Sequence, residues 1–307
     1  MKSSEKRIFL APDAGSGSIQ RELSAQWLGV RPHRIPEVGE GTMVLTGKVA
    51  IVTGAGGSGC GRAIACRFGR EGAAVVIADV QEAGMSATAD AIEADGGRAS
   101  IRPTDVGNEA EVRALFSFAE KTYGGVDVVV NDASAAVFPE KSLDDWFANL
   151  RVDLLGAMYV TRYGIEAMRR RGGGGIVSIG STSALPHGDV RAHGPSSSGY
   201  NTAKAGVMRL TTTLNWMGAN EGIRVNCLVP HWIGTDHIKT VIAEMTPAQR
   251  RDFAVPPVLL TPEEVADAVL RLATDERLAG RLLVCVGGQP PKLIPFGDPG
   301  YAHLDDL

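Results

Sequence analysis

Tyr200 and Lys204, in the run Tyr200-Asn201-Thr202-Ala203-Lys204, place a phenol and an ammonium four residues apart, hence about one turn apart on one helix face. A nearby cation favours phenolate over phenol, so this pair has the chemistry of a general acid/base. Ser181 closes an apolar run, Ile176-Val177-Ser178-Ile179-Gly180, at the distance of a long Gly-, Pro- and Ser-rich loop from Tyr200. A second constellation is the run Thr53-Gly54-Ala55-Gly56-Gly57-Ser58-Gly59-Cys60-Gly61-Arg62. Glycines there let a pyrophosphate approach backbone N–H groups at a helix N-terminus without Cβ atoms in the way. Asp79 ends the next apolar run 18 residues after Gly61, where a carboxylate accepts hydrogen bonds from ribose hydroxyls and repels a 2′-phosphate. No Arg or Lys follows it in Val80-Gln81-Glu82, so NAD is expected over NADP.

Each signal alone has a plain structural alternative: a surface turn for the glycines, a helix-capping Asp79, two exposed helix residues for Tyr200 and Lys204. The elements around them decide. Short apolar runs at 49–53, 74–78, 98–102, 126–131, 175–180, 223–229 and 281–286 alternate with helical stretches near 61–71, 81–95, 108–123, 145–171, 200–220 and 262–274. That alternation predicts an α/β fold, a Rossmann-type doubly wound parallel sheet of about seven strands with helices on both faces. Both candidate sites then fall at strand-to-helix junctions.

Taken in order, the glycine turn, Asp79, Thr104-Asp105-Val106, Asn131-Asp132-Ala133, Ser181, Tyr200 with Lys204, and Pro230 to Thr235 resemble the short-chain dehydrogenase/reductase family in its single-domain form. The likeness spans about Leu45 to Gly288. It implies a nicotinamide-dependent oxidoreductase acting on a secondary alcohol or ketone, with Ser181, Tyr200 and Lys204 catalytic. It further implies a cofactor site built from Gly54, Ser58, Gly59, Gly61, Asp79, Asp105, Val106, Asn131, Ala133, Tyr200, Lys204, Pro230, Ile233 and Thr235. Asp105 and Val106 match the adenine-contact position, and Asn131 and Ala133 a motif that braces the sheet and touches the cofactor. Ile233 and Thr235 match the segment at the carboxamide.

Four departures stand out. The glycine turn is one residue longer than the family's usual form, Asp132 and Ser134 replace an Asn and a Gly, His231 replaces a Gly, and Asp153 falls where the family keeps a catalytic-relay Asn. Asn149 lies one turn earlier and could substitute. Asp153 is expected near Lys204, through a bridging water, where its charge would partly cancel the ammonium's field at Tyr200 unless burial protonates it or Arg151 or Arg162 holds it instead. The departures keep a catalytically weak dinucleotide-binding sensor or scaffold open as an alternative, beside an NADPH-dependent carbonyl reductase.

Composition limits the rest. With 307 residues, 44% hydrophobic, 21% charged and a net charge of −4, the chain reads as an ordinary globular protein with no electrostatic call for nucleic acid or an anionic membrane. A small-molecule alcohol or carbonyl is the expected partner. The four cysteines, Cys60, Cys66, Cys227 and Cys285, lack metal-ligand spacing, so no metal is expected and a cytoplasmic location is. Residues 1–45 read as an N-terminal extension, 46–290 as the dinucleotide-binding domain and 291–307 as a C-terminal tail. His187 and His193 read as solvated loop residues, and 236–260 as a lid or a plain surface helix and loop. The resemblance also implies that helices 145–171 and 200–220 pair across a two-fold into a homodimer or homotetramer.

Overall fold

The computed structural model describes residues 43–296 except 136, 138 and 186–196. Most of the 1–45 extension, the two loop histidines and much of the 291–307 tail therefore lie outside the described residues. Eight strands form one sheet in the order β3-β2-β1-β4-β5-β6-β7-β8. These are β1 (Val49–Thr53), β2 (Ala74–Asp79), β3 (Arg98–Pro103), β4 (Val128–Asn131), β5 (Gly174–Ile179), β6 (Ile223–Pro230), β7 (Leu282–Cys285) and β8 (Lys292–Leu293). The first seven run parallel, and β8 returns antiparallel to β7 with Leu283 opposite Leu293. All seven predicted strands are present, and β8 adds an eighth: two residues are too few to show a period, and they lie in the segment read as tail.

Strands β1 and β2 are near-continuous apolar runs because helices cover both of their faces. One face carries α1 (Cys60–Arg70), α2 (Glu82–Ala94) and α10 (Pro262–Thr274), packed around Phe68, Ile77 and Leu228. The other carries α3 (Glu109–Tyr123), α5 (Ala157–Arg171) and the residues around Phe116, Val129 and Ile176. Strand order reverses between β1 and β4, which lie side by side with Thr53 opposite Asn131. The crevice beyond their carboxyl ends is where open α/β sheets bind ligands.

Two predicted helices are interrupted. The stretch read as 145–171 is α4 (Leu143–Asn149), a π-helical segment (Leu150–Gly156) and α5. Asn149, Asp153 and Gly156 are the buried positions of α4 and this segment. The stretch read as 200–220 is α6 (Ser198–Thr213) and α7 (Trp216–Glu221), and the Thr212 and Thr213 hydroxyls at the break donate to the Arg209 and Leu210 carbonyls in competition with the backbone. Between 236 and 260 lie two short capped helices, α8 (Asp236–Glu244) and α9 (Pro247–Asp252), neither of which buries a residue fully.

Candidate active site

The glycine turn is shaped by close approach. Gly54 has φ +75°, and a Cβ on it would sit 2.6 Å from the Ala133 amide nitrogen. A Cβ on Gly61 would fall 2.2 Å from the Gly54 carbonyl oxygen, and one on Gly56 would fall 2.7 Å from Cγ of Asp79. Only bare backbone fits there. Asp79 braces the turn by accepting from the Gly56 amide at 2.9 Å and from the Gln81 amide at 3.0 Å. Thr53 ties the turn to β4, donating to the Val130 carbonyl and accepting from the Asp132 and Ala133 amides. The N-terminus of α1 follows at Cys60, a cradle of backbone N–H groups and dipole suited to a pyrophosphate.

Other residues predicted for the cofactor lie around this cradle. A Cβ on Gly59 would be 3.6 Å from the Thr235 methyl, so the segment after β6 reaches the turn. Thr235 caps α8, Pro230 ends β6, and Ile233 bridges to Leu260. Ser58 is exposed on the turn. Asn131 is buried and donates to Thr161 and Ser178, linking β4 to α5 and β5. Asp105 accepts from Arg151 at 2.7 Å and from the Gly107 amide, while Val106 packs against Gly156. Asp132 is a functional-looking carboxylate beside the cradle: burial pushes it up to about 7, against the pull of Lys204 and a hydrogen bond from the Gly61 amide.

At the second constellation, Lys204 is buried and its Nζ lies 3.0 Å from Asp153 Oδ1. The same ammonium donates to the Ile179 carbonyl at 3.0 Å and sits 5.5 Å from the centroid of the Tyr200 ring. Asp153 contacts Lys204 directly, where a bridging water was expected. It also accepts from the Ser134 hydroxyl at 2.6 Å and the Ala135 amide at 2.9 Å. Neither arginine competes for it, since Arg151 pairs with Asp105 and Arg162 with Glu166. Two of the sequence's departures, Ser134 and Asp153, thus form one hydrogen bond. Burial pulls Lys204 down, and the charges of Asp153, Tyr200 and Asp132 more than offset it, so its ammonium stands above the usual lysine range.

Ser181 reaches α6 through a short polar chain. Its Oγ lies 2.8 Å from that of Ser183, which donates to Asn201 Oδ1 at 2.8 Å. Asn201 in turn donates to Ser197. Sequence reasoning missed Ser183, Asn201 and above all Glu140, a buried carboxylate that accepts from the Gly199 and Tyr200 amides. Asn149 does not take the place of Asp153. It donates to Glu140 at 2.7 Å and exchanges hydrogen bonds with the Val137 backbone.

The Asp153–Lys204 pair makes a prediction about stability. Asp153→Ala, which strands a buried ammonium, should cost about 3–5 kcal/mol in urea unfolding. Asp153→Asn, which keeps an acceptor, should cost less. Because Lys204 is raised above its ordinary value of 10.5, the pair's contribution is present at neutral pH and is lost as pH rises through the folded-state titration. Equal, small losses for the two variants would show that the pair does not hold the structure.

No helix among the described residues is long and apolar enough to cross a membrane, and these residues contain no cluster of metal ligands. A family model described as short chain dehydrogenase matches residues 48–246. The chain is 34% identical over 261 residues to an uncharacterized oxidoreductase of Thermotoga maritima, covering 82% of this chain and 99% of that protein. It is 33% identical over 240 residues to the short chain dehydrogenase/reductase astE of Aspergillus oryzae, covering 75% and 89%. A short-chain dehydrogenase/reductase crystal structure from Burkholderia xenovorans superimposes with a TM-score of 0.71 at 32% identity, covering 85% of this chain and 99% of that one. With this fold, a glycine cradle at the crevice and the Tyr200–Lys204 helix beside it, the chain belongs to the short-chain dehydrogenase/reductase family of oxidoreductases.

Proposed function

We propose that this oxidoreductase interconverts a secondary alcohol and a ketone with NAD(H), using Tyr200 as acid/base. The observation that carries the reading is the Lys204 ammonium, buried and held by Asp153 and Ile179 against the Tyr200 ring. In oxidation Tyr200 takes the hydroxyl proton of the substrate, and in reduction it returns one to the carbonyl oxygen. Ser181, whose Oγ is placed by Ser183, would turn its one hydroxyl proton from Ser183 to that oxygen when substrate binds. Lys204 favours the phenolate that accepts the proton. The bound dinucleotide supplies the two-electron chemistry by taking or giving the hydride. Gly54, Gly59, Gly61 and the α1 N-terminus would hold its pyrophosphate, and Asp79 its adenosine ribose. Ser134 and Asp153 give the competing sensor or scaffold reading no support, since they complete the lysine's surroundings instead of disrupting them.

Asp79 supports NAD over NADP. With both carboxylate oxygens fixed by the Gly56 and Gln81 amides, it cannot swing aside for a 2′-phosphate without undoing the turn. Steady-state kinetics with the two dinucleotides should give a higher kcat/KM for NAD, and Asp79→Ala should narrow the ratio. Equal or better kcat/KM with NADP in the wild type rejects the assignment.

The proton-transfer role is tested by Tyr200→Phe. Turnover of a secondary-alcohol panel should fall roughly 10²- to 10⁴-fold. NADH binding, followed by its fluorescence, should persist. Undiminished turnover removes Tyr200 from the mechanism.

Assembly through α4, α5 and α6 is part of the same reading. Leu143, Trp146, Phe147, Leu155 and Met158 form an exposed apolar stripe along α4, the π segment and the start of α5, which a second copy would cover. Light scattering at micromolar concentration should return a dimer or tetramer, and a strictly monomeric mass would contradict it.

A further inference from the structure

Glu140 belongs to the loop between β4 and α4, far from Tyr200 in sequence, and its side chain is buried, with 7% of the residue exposed. A buried carboxylate needs donors, and three are present. The Gly199 amide lies 3.0 Å from Oε2, the Tyr200 amide 2.8 Å from Oε1, and Asn149 Nδ2 2.7 Å from Oε1. Gly199 and Tyr200 sit in the first turn of α6, where backbone N–H groups have no partner within the helix and the helix dipole is positive. The local N-cap, Ser197, makes no side-chain capping bond, so the carboxylate arrives from outside to do that work. The fit is tight: a Cβ on Gly199 would stand 2.9 Å from Glu140 Oε1 and 2.7 Å from Cα of Trp146.

The same loop also holds α6 one turn later. Ser134 and Ala135 bind Asp153, which binds Lys204, while Val137 and Glu140 share Asn149. The chain after β4 therefore grips α6 at residues 199–200 and again at 204. We propose that Glu140 is a positioning residue for the reaction, which fixes the backbone of Tyr200 by capping α6 and places a negative charge at the end of the helix from which the phenol is presented. It touches neither substrate nor cofactor site as described, and it acts through Tyr200; the inference rests on the reading of Tyr200 as acid/base.

The charge has a definite sign of effect. Among the described residues, Lys204 of α6 lies against the Tyr200 ring, Asp153 of the π segment and Asp132 surround Lys204, and Glu140 of the loop holds the Tyr200 amide. Lys204 favours the phenolate. Glu140 opposes it, both as a negative charge and by offsetting the dipole of α6. Replacing Glu140 by Gln keeps the volume, removes the charge and points an amide N–H₂ at a backbone donor, so both the phenolate balance and the ring's placement should change. Glu140→Asp keeps the charge and loses reach, so only placement should suffer.

The test titrates tyrosinate by ultraviolet absorbance in the wild type, Glu140→Gln, Glu140→Asp and Tyr200→Phe. It measures NADH binding by fluorescence and turnover of cyclohexanol and isopropanol with NAD in the same proteins. Of the five tyrosines, the component lost in Tyr200→Phe is that of Tyr200. In Glu140→Gln that component should move to lower pH. In both Glu140 variants kcat should fall roughly 10- to 100-fold through misplacement of the phenol, with NADH affinity kept. A Tyr200 component that stays in place in Glu140→Gln, or moves to higher pH, overturns the proposal. Should Glu140→Gln lose cooperative unfolding, Glu140→Asp decides: unchanged kcat on a folded, NADH-binding protein overturns it, and lowered kcat with kept affinity supports it. Retained turnover in Tyr200→Phe would instead fail the acid/base reading, and the titration would still report whether Glu140 acts on Tyr200.

Discussion

A lysine with almost no exposed surface cannot keep its charge without partners, and most of the site's architecture follows from supplying them to Lys204. Asp153 faces inward from the π-helical segment between Leu150 and Gly156. Asp153 in turn needs donors beyond the lysine, which the loop after β4 provides through Ser134 and Ala135. The Ile179 carbonyl takes a second direction of the ammonium and so fixes α6 to the end of β5. One buried cation thereby ties together β5, the π segment, α6 and the β4 loop. Tyr200, one turn away on α6, inherits its position from that junction.

The dinucleotide cradle depends on a different constraint, the exclusion of side-chain volume. Gly54, Gly56 and Gly61 pass so close to Ala133, Asp79 and each other that any Cβ would force backbone apart. On the outer side, α2 presses equally hard: a Cβ on Gly84 would collide with the Gly56 carbonyl, and Thr88 donates to the Ala55 carbonyl at 2.8 Å. The extra residue in this turn relative to the family's usual form is thus accommodated within a packed arrangement of Asp79, Gly84 and Thr88. Thr53 couples the cradle to β4 and so to the loop that serves Lys204 and Tyr200. The two halves of the crevice share one connecting segment, residues 131–140.

That sharing explains why the departures from the family pattern cluster where they do. Ser134 and Asp153 are each unusual alone, but together they form one 2.6 Å hydrogen bond around the lysine. Asp132, between the cradle and Lys204, is pushed up to about 7 by burial and by the neighbouring carboxylates of Asp79 and Asp153, with Lys204 pulling the other way. An extra carboxylate at this point is tolerated because its charge is only partly developed near neutrality and because the ammonium lies within reach.

Elements whose signals are local were legible along the chain. Apolar runs of strand length, the period of α1 and α10, the capping box at Thr261 and Glu264, and the strand-end positions of Asp79 and Ser181 all follow from spacing, because backbone geometry repeats over a few residues. The parallel sheet followed from the alternation of those elements, and the family from the order of the motifs. Contacts between residues distant in the chain carry no such local signal. Asn149 and Asp153 stood as alternatives in sequence, separated by one turn. The fold pairs Asp153 with Lys204 and Asn149 with Glu140, because each meets a partner that another element brings beside it. Glu140 carried no signal at all, since a carboxylate 60 residues before the helix it caps looks like any other charge in a polar loop. The two-residue strand β8 was equally silent, being defined by its partner β7 and not by any periodicity of its own. Local propensity is written along the chain, whereas a buried charge is satisfied by whatever the fold brings beside it.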